Sequence, residues 1–285
     1  MQIYADNAAT TKMSDLAIEA MLPYLKENYG NPSSLHSVGQ EAAEHLLAAR
    51  EKMAKCLGCE TREIYFTSGG SEADNQAIVS AAKRGLRKGK NHIISTAFEH
   101  HAVLHTLKKL EKEGFEITYL NVDNVGRINV NELMNAITKN TILISIMAVK
   151  NEIGTIQDIE QIGKIAKYKD VIFHSDFVQA VGHINIDVRN INIDSLSMSA
   201  HKFHGPKGVG ILYIKEKIKF EPIIYGGHQE KGKRAGTENV AGIVGAAKAI
   251  EIVNENIIEK NMKVSKIRDY LKEKLTSLSD RIKIN

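Results

Sequence analysis

The chain has 285 residues, 43% hydrophobic and 25% charged, with 38 basic and 34 acidic side chains and a net charge of +4. That length suits one large domain or one and a fraction, and the weak, dispersed charge is no footprint for nucleic acid. No run is long enough for a membrane-spanning helix, the N-terminus has no signal-peptide pattern, and the only two cysteines, Cys56 and Cys59, exclude a disulfide framework. A cytoplasmic protein is therefore expected, with no membrane or nucleic-acid partner. A zinc site wants four ligands and no second cysteine pair exists, so no metal is expected either.

Residues 3–11 read as an extended arm ending in a polar turn. Ser14-Asp15 then caps a helix whose inward side is Leu16, Ile18, Ala20, Met21 and Leu25. Gly30-Asn31-Pro32-Ser33-Ser34 is a loop dense in turn formers, followed by an amphipathic helix from about Val38 to Leu57.

The compact strand Ile64–Thr67 runs straight into Ser68-Gly69-Gly70-Ser71-Glu72 and a helix. A strand, a Gly-Ser turn and a helix start present free N–H groups and a helix dipole, which suits a phosphate. It is neither a Walker loop nor a dinucleotide fingerprint, and an ordinary helix start capped by Ser71 has the same pattern.

Strands and helices then alternate: strand His92–Ser95, helix Ala102–Glu113, strand Glu116–Leu120, helix Val130–Thr138, strand Ile142–Met147, helix Ile159–Lys167 and strand Val171–His174. The alternation predicts an α/β fold with a mostly parallel central sheet and helices on both faces. Ligands of such sheets lie beyond the carboxyl ends of the strands. The polar residues there are Glu99, His100 and His101, then Lys150, Asn151 and Glu152, then Asp176 and Gln179.

The strands Ile193–Met198 and Val209–Ile214 flank Ser199-Ala200-His201-Lys202-Phe203-His204-Gly205-Pro206-Lys207-Gly208. A lysine on such a turn is either a solvated surface charge or an amine held against a carbonyl for Schiff-base chemistry, for which pyridoxal phosphate is the usual partner. Residues 225–240 form a glycine- and charge-rich loop too long for a plain connection. Val240–Val253 reads as a buried helix, 254–278 as a charged one, and Arg281–Asn285 as the start of a strand. The expected organisation is an arm (1–14), a large cofactor-binding domain (15–253) and the beginning of a small C-terminal domain (254–285).

These stretches together resemble the NifS-like cysteine desulfurases, in the class V aminotransferase branch of fold-type I pyridoxal-phosphate enzymes. The resemblance rests on Asp6–Thr11, Gly30–His36, Thr67–Asn75, Glu99-His100, Asn151–Thr155, His174–Gln179, Ser199–Lys202 and Arg234–Val240. It implies conversion of L-cysteine to L-alanine with transfer of the sulfur, for iron-sulfur cluster or thio-cofactor assembly, with pyridoxal 5'-phosphate as cofactor. Lys202 is implied to hold the cofactor covalently and move protons, and Asp176 to pair with its ring nitrogen. His100 is implied to stack on the ring. Gln179 and Asn151 are implied to bond its phenolic oxygen, Asn151 also lying near the substrate carboxylate. Gly70, Ser71, Ser199 and His201 are implied to bind the phosphate. Thr237 is implied to reach the phosphate of a second subunit, which makes the protein a homodimer, and a sulfur-acceptor or scaffold protein is implied as a further partner.

Two positions depart from the family pattern, Lys150 and His228. The family's nucleophilic cysteine and substrate-clamping arginine lie beyond position 285, and Cys56 and Cys59 do not match that nucleophile. Residues 1–285 alone are thus expected to bind cofactor without catalysing sulfur release. A cofactor-binding remnant or partner subunit, a selenocysteine lyase and an aminotransferase are the alternative readings.

Overall fold

The computed structural model describes residues 3–255, 257–279, 281, 282 and 284. Its strands are β1 (Ile64–Thr67), β2 (His92–Thr96), β3 (Glu116–Leu120), β4 (Thr141–Ser145), β5 (Ile172–Asp176), β6 (Ser195–Ser199) and β7 (Gly210–Ile214). They form one sheet in the order β1-β7-β6-β5-β4-β2-β3. All neighbours pair in parallel except β7, which runs antiparallel to both β1 and β6. Every residue of β2, β4, β5, β6 and β7 is buried, as a sheet covered on both faces requires.

The helices are α1 (Asp15–Lys26), α2 (Ser37–Leu57), α3 (Gly70–Leu86), α4 (His101–Lys112), α5 (Val130–Ala136), α6 (Ile159–Tyr168), the single turn α7 (Gln229–Gly232), α8 (Val240–Glu255) and α9 (Ile257–Leu278). Helix α3 follows β1 and lies across β4–β7, while α8 packs on α1 and α2. The mostly parallel α/β sheet read from the sequence is thus the fold observed. Among the described residues no helix is long and apolar enough to cross a membrane.

Two strand ends differ from the sequence reading in a way that matters. β5 runs on through Asp176 and β6 through Ser199, because parallel pairing places His174 opposite Ser195 and Asp176 opposite Ser197. The backbone N–H of Phe177 closes the end of this pair on the Ser197 carbonyl at 2.9 Å. Asp176 and Ser199 are therefore the last residues of rigid strands and not loop residues.

Helix α1 covers only part of the side expected, Ala20 and Met21 being half-buried. Leu16, Ile18 and Leu25 are 51%, 39% and 63% exposed, and Ala17 is the buried residue. The reason is close packing on α8: a Cβ on Gly245 would lie 2.6 Å from both Cγ and Sδ of Met21, so Met21 and the small Ala17–Gly245 side set the contact. Ser14 holds the N-cap position but its side chain makes no capping bond. Its N–H donates instead to the His204 carbonyl at 2.9 Å.

Glycine at 210 is a steric necessity, since a Cβ there would lie 2.4 Å from the Gly69 carbonyl carbon. β7 consequently passes against the β1–α3 turn and fixes its place. Helix α9 buries none of its described residues. The strand expected over Arg281–Asn285 falls partly on positions outside the described residues; Arg281 is in a turn, and Ile282 and Ile284 are not in a strand.

Candidate active site

A cavity of about 600 Å³ opens at the carboxyl ends of β1, β2, β4, β5 and β6. Gly70 and Ser71 from the start of α3, Ser199 from the end of β6, and His201 belong to its lining. Helix α3 begins at Gly70 with Gly69 in the cap position, so Ser71 lies within the first turn and is not the cap. A Cβ on Gly70 would meet Val178 Cγ2 at 2.7 Å, which leaves room only for glycine where the backbone faces the cavity. Glu72 secures this turn: it accepts the Ser68 N–H at 2.8 Å and pairs with Arg234 Nε at 2.9 Å, and those donors hold its pKa low against the cost of burial.

Lys202 stands in a 3₁₀ turn, Ala200–Lys202, immediately after β6. Burial lowers the pKa of its amine, while Asp176 and Asp6 act in the other direction. The amine donates to the Ala8 carbonyl, which also accepts Gln179 Nε2 at 2.8 Å. The N-terminal arm is therefore a wall of the cavity, with Asp6, Ala8 and Ala9 in the lining.

Asp176 is 4% exposed, and its Oδ1 accepts the Val178 N–H at 2.8 Å. Burial pushes its carboxyl up to about 6, opposed by that N–H and by the Lys202 and Lys150 amines. Two further carboxyls lie buried beside it. Asp74, on α3, is 1% exposed and lines the cavity, and Glu99 is 3% exposed. Glu99 Oε1 accepts the Met147 N–H and the Thr96 hydroxyl, both at 3.0 Å, while Asp74 Oδ1 and Glu99 Oε2 have no partner. Burial pushes Glu99 up to about 8 and raises Asp74 well above the usual carboxylate range, with the Asp176 charge adding to both. His174 Nε2 lies 3.6 Å from Asp74, but this is not an ion pair: burial drives His174 down to about 3, and its ring nitrogens bond the hydroxyls of Ser145 and Ser197 at 3.0 Å. Burial outweighs the nearby Lys202 and Lys150 amines, so the cluster keeps its charge low by holding protons.

His100 caps α4, its Nδ1 accepting the Ala102 N–H at 3.1 Å. Burial, His101, Lys202 and Lys150 lower its pKa. A neutral ring with Nδ1 so occupied carries its proton on Nε2. Asn151 also lines the cavity, its buried Oδ1 without a hydrogen-bond partner.

The structure thus brings Gly70, Ser71, His100, Asn151, Asp176, Gln179, Ser199, His201 and Lys202 to one cavity and leaves Thr237 out of it. Thr237 is exposed and lines a separate cavity of about 210 Å³ with Arg234 and Glu230. Lys150 and His101, collected from strand ends, do not line the main cavity either. The sequence pattern gives no role to Asp6, Ala8, Ala9 or Asp74, which line the cavity as well. The signal for the first three lay in the Asp6–Thr11 stretch, and Asp74 sits four residues into the helix of the Gly-Ser turn.

An amine, a buried carboxyl, a neutral imidazole and a helix start thus surround one cavity on an α/β scaffold. The chain belongs to the aminotransferase class-V family, whose model matches residues 3–284. It is 53% identical over 284 residues to the cysteine desulfurase IscS of Clostridium botulinum strain Hall, covering all of this chain and 71% of that protein. It is 53% identical over 276 residues to the cysteine desulfurase IscS of Methanosarcina thermophila, covering 97% and 68% of the two chains. Among solved structures, a NifS-like protein superposes with a TM-score of 0.96 at 44% identity, covering 98% of this chain and 77% of the other. The structure of SspA in complex with cysteine matches with a TM-score of 0.85 at 41% identity, covering 88% and 72%.

Proposed function

We propose that this chain is a cysteine desulfurase that uses pyridoxal 5'-phosphate to convert L-cysteine to L-alanine, passing the sulfur to a thiol as a persulfide. The observation that carries the reading is the placement of Asp176 at the end of β5 and Lys202 in the turn after the adjacent β6, both lining one cavity with the start of α3. The residues fit the cofactor. The Gly70 cradle and the α3 N-terminus suit a phosphate, the partly desolvated Lys202 amine suits an aldehyde, and the Asn151 Oδ1 is a buried polar atom awaiting a partner.

When bound, the cofactor supplies an electron sink for the bonds at the substrate's α-carbon. Lys202 would hold it covalently and would carry protons to and from that carbon. The Asp176 carboxylate would pair with the ring nitrogen through a charge-assisted hydrogen bond and favour its protonated form. His100 would lie against the ring, and Gln179 and Asn151 would bond the phenolic oxygen, with Asn151 also available to the substrate carboxylate. Gly70, Ser71, Ser199 and His201 would take the phosphate. Sulfur leaves cysteine when a thiolate attacks it, breaking the carbon–sulfur bond while the α- and β-carbons receive protons. Cys56 and Cys59 are not that thiolate, because both are part-buried at the end of α2 with pKa values raised by burial.

Thr237 faces outward from its own cavity, which accords with a homodimer in which it serves the phosphate of the second copy. A sulfur acceptor or scaffold protein then takes the persulfide sulfur. Both cysteines are free thiols, in keeping with a cytoplasmic location.

The test is loading with pyridoxal phosphate followed by borohydride reduction and peptide mapping. The label is expected on the Lys202 peptide and absent in Lys202→Ala. A label on another lysine overturns the assignment.

A further inference from the structure

The arm does more than wall the cavity: four consecutive contacts bolt it to the turn that carries Lys202. Thr11, 7% exposed, donates to the His201 carbonyl through its N–H at 3.0 Å and its hydroxyl at 2.7 Å. The same hydroxyl accepts the His204 N–H at 2.9 Å, and the Ser14 N–H donates to the His204 carbonyl. The backbone of His201 is thereby pinned, and one further contact governs its ring. Thr10 Oγ1 lies 3.0 Å from His201 Nδ1.

Resting on the cofactor reading above, we propose that Thr10 is a positioning residue for phosphate capture: its hydroxyl donates to His201 Nδ1, which puts the ring proton on Nε2 and makes that nitrogen a donor to the cofactor's phosphate. Burial and the neighbouring Lys202 and Lys207 amines lower the pKa of His201. A neutral imidazole has one proton for two nitrogens, so the group facing Nδ1 decides what Nε2 offers. A carbonyl at that position would draw the proton to Nδ1 and leave a lone pair toward the phosphate oxygens. A hydroxyl can donate, and it leaves Nε2–H for the anion. Nothing else among the described residues hydrogen-bonds either His201 nitrogen or the Thr10 hydroxyl.

The test compares equilibrium binding of pyridoxal phosphate and of unphosphorylated pyridoxal by the full chain, as parent, Thr10→Val and Thr10→Ser. Thr10→Val is expected to weaken pyridoxal phosphate about three- to tenfold, the range of one hydrogen bond. Pyridoxal affinity should stay within about twofold, because the ring-binding residues are untouched. Thr10→Ser, which keeps the hydroxyl, should restore the parent's preference. Nitrogen-15 spectra with inorganic phosphate should show His201 in the Nε2–H form in the parent and a mixture of tautomers in Thr10→Val. If Thr10→Val weakens both ligands equally, or keeps the full preference for the phosphorylated one, the inference is overturned while the cofactor reading stands. A parent that binds both ligands equally well overturns both.

Discussion

Arg50 and Glu230, 180 residues apart in the chain, form a two-pronged ion pair at 2.7 and 2.6 Å, with side chains only 10% and 2% exposed. Glu230 also accepts the Phe66 N–H at 3.0 Å, and Arg50 donates to the Ile64 carbonyl at 2.8 Å. The pair therefore ties the loop carrying Thr237 to β1, the strand that leads into the α3 turn. Glu230 and Lys231 both take left-handed backbone conformations, with φ of 47° and 59°, which persist only where the surroundings hold them.

Removing one partner leaves a buried charge and an unpaired N–H. Glu230→Ala should cost about 3–5 kcal/mol, read as a lower urea midpoint. The double variant Arg50→Met/Glu230→Leu should recover much of that. A loss below about 1 kcal/mol in the single variant would place the pair among interactions that only look strong.

Asp176 should matter to cofactor affinity more than to folding. Asp176→Ala removes a charge-assisted hydrogen bond worth about 1.5–3 kcal/mol, hence about ten- to a hundredfold in pyridoxal phosphate binding. An absorbance titration measures this directly, and an unchanged dissociation constant counts against Asp176 as the ring-nitrogen partner.

The buried carboxyl cluster makes the cofactor-free protein sensitive to alkali. Glu99 has a folded pKa of about 8 against 4.5 in the unfolded chain, so the folded state holds the extra proton between those values and loses stability as pH rises. His174, lowered from 6.5 to about 3, works with the opposite sign but is finished above 6.5, and Asp176 finishes near 6. The clean window is therefore pH 6.5 to 8, where stability should fall by about 2 kcal/mol at 1.4 kcal/mol per unit. Asp74, also raised, acts in the same direction as Glu99. Glu99→Gln should flatten the fall in urea midpoints across that window; the parent's slope surviving in the variant would show that Glu99 does not hold the proton.

Neither cysteine should behave as a reactive thiol. Cys59 is pushed up to about 12 by burial and Cys56 is also raised. At pH 8, Cys59 should be alkylated by iodoacetamide about a thousandfold more slowly than an unperturbed thiol. Modification at the speed of glutathione would mean that the site is open and ionised.

The features legible in the chain are local and periodic. Runs such as Ile142-Leu143-Ile144 and Phe66-Thr67 mark strands, Gly-Ser and Asn-Glu-Ile-Gly clusters mark the turns after them, and the alternation with amphipathic helices implies a parallel sheet. In such a sheet the polar residues after the strands share one rim, so His100, Asn151, Asp176 and Lys202 could be gathered before any contact was known. The tertiary structure decided what joins distant segments. Ala8 meets Lys202 across 194 residues and Gln179 across 171, Asp74 meets His174 from a helix crossing the sheet, and Thr237 lines a separate cavity. It also decided which side of α1 is covered, because that depends on the small residues of α8 that face it. Such contacts follow from strand order, above all from β7 lying between β1 and β6, and strand order leaves no periodic trace in the chain.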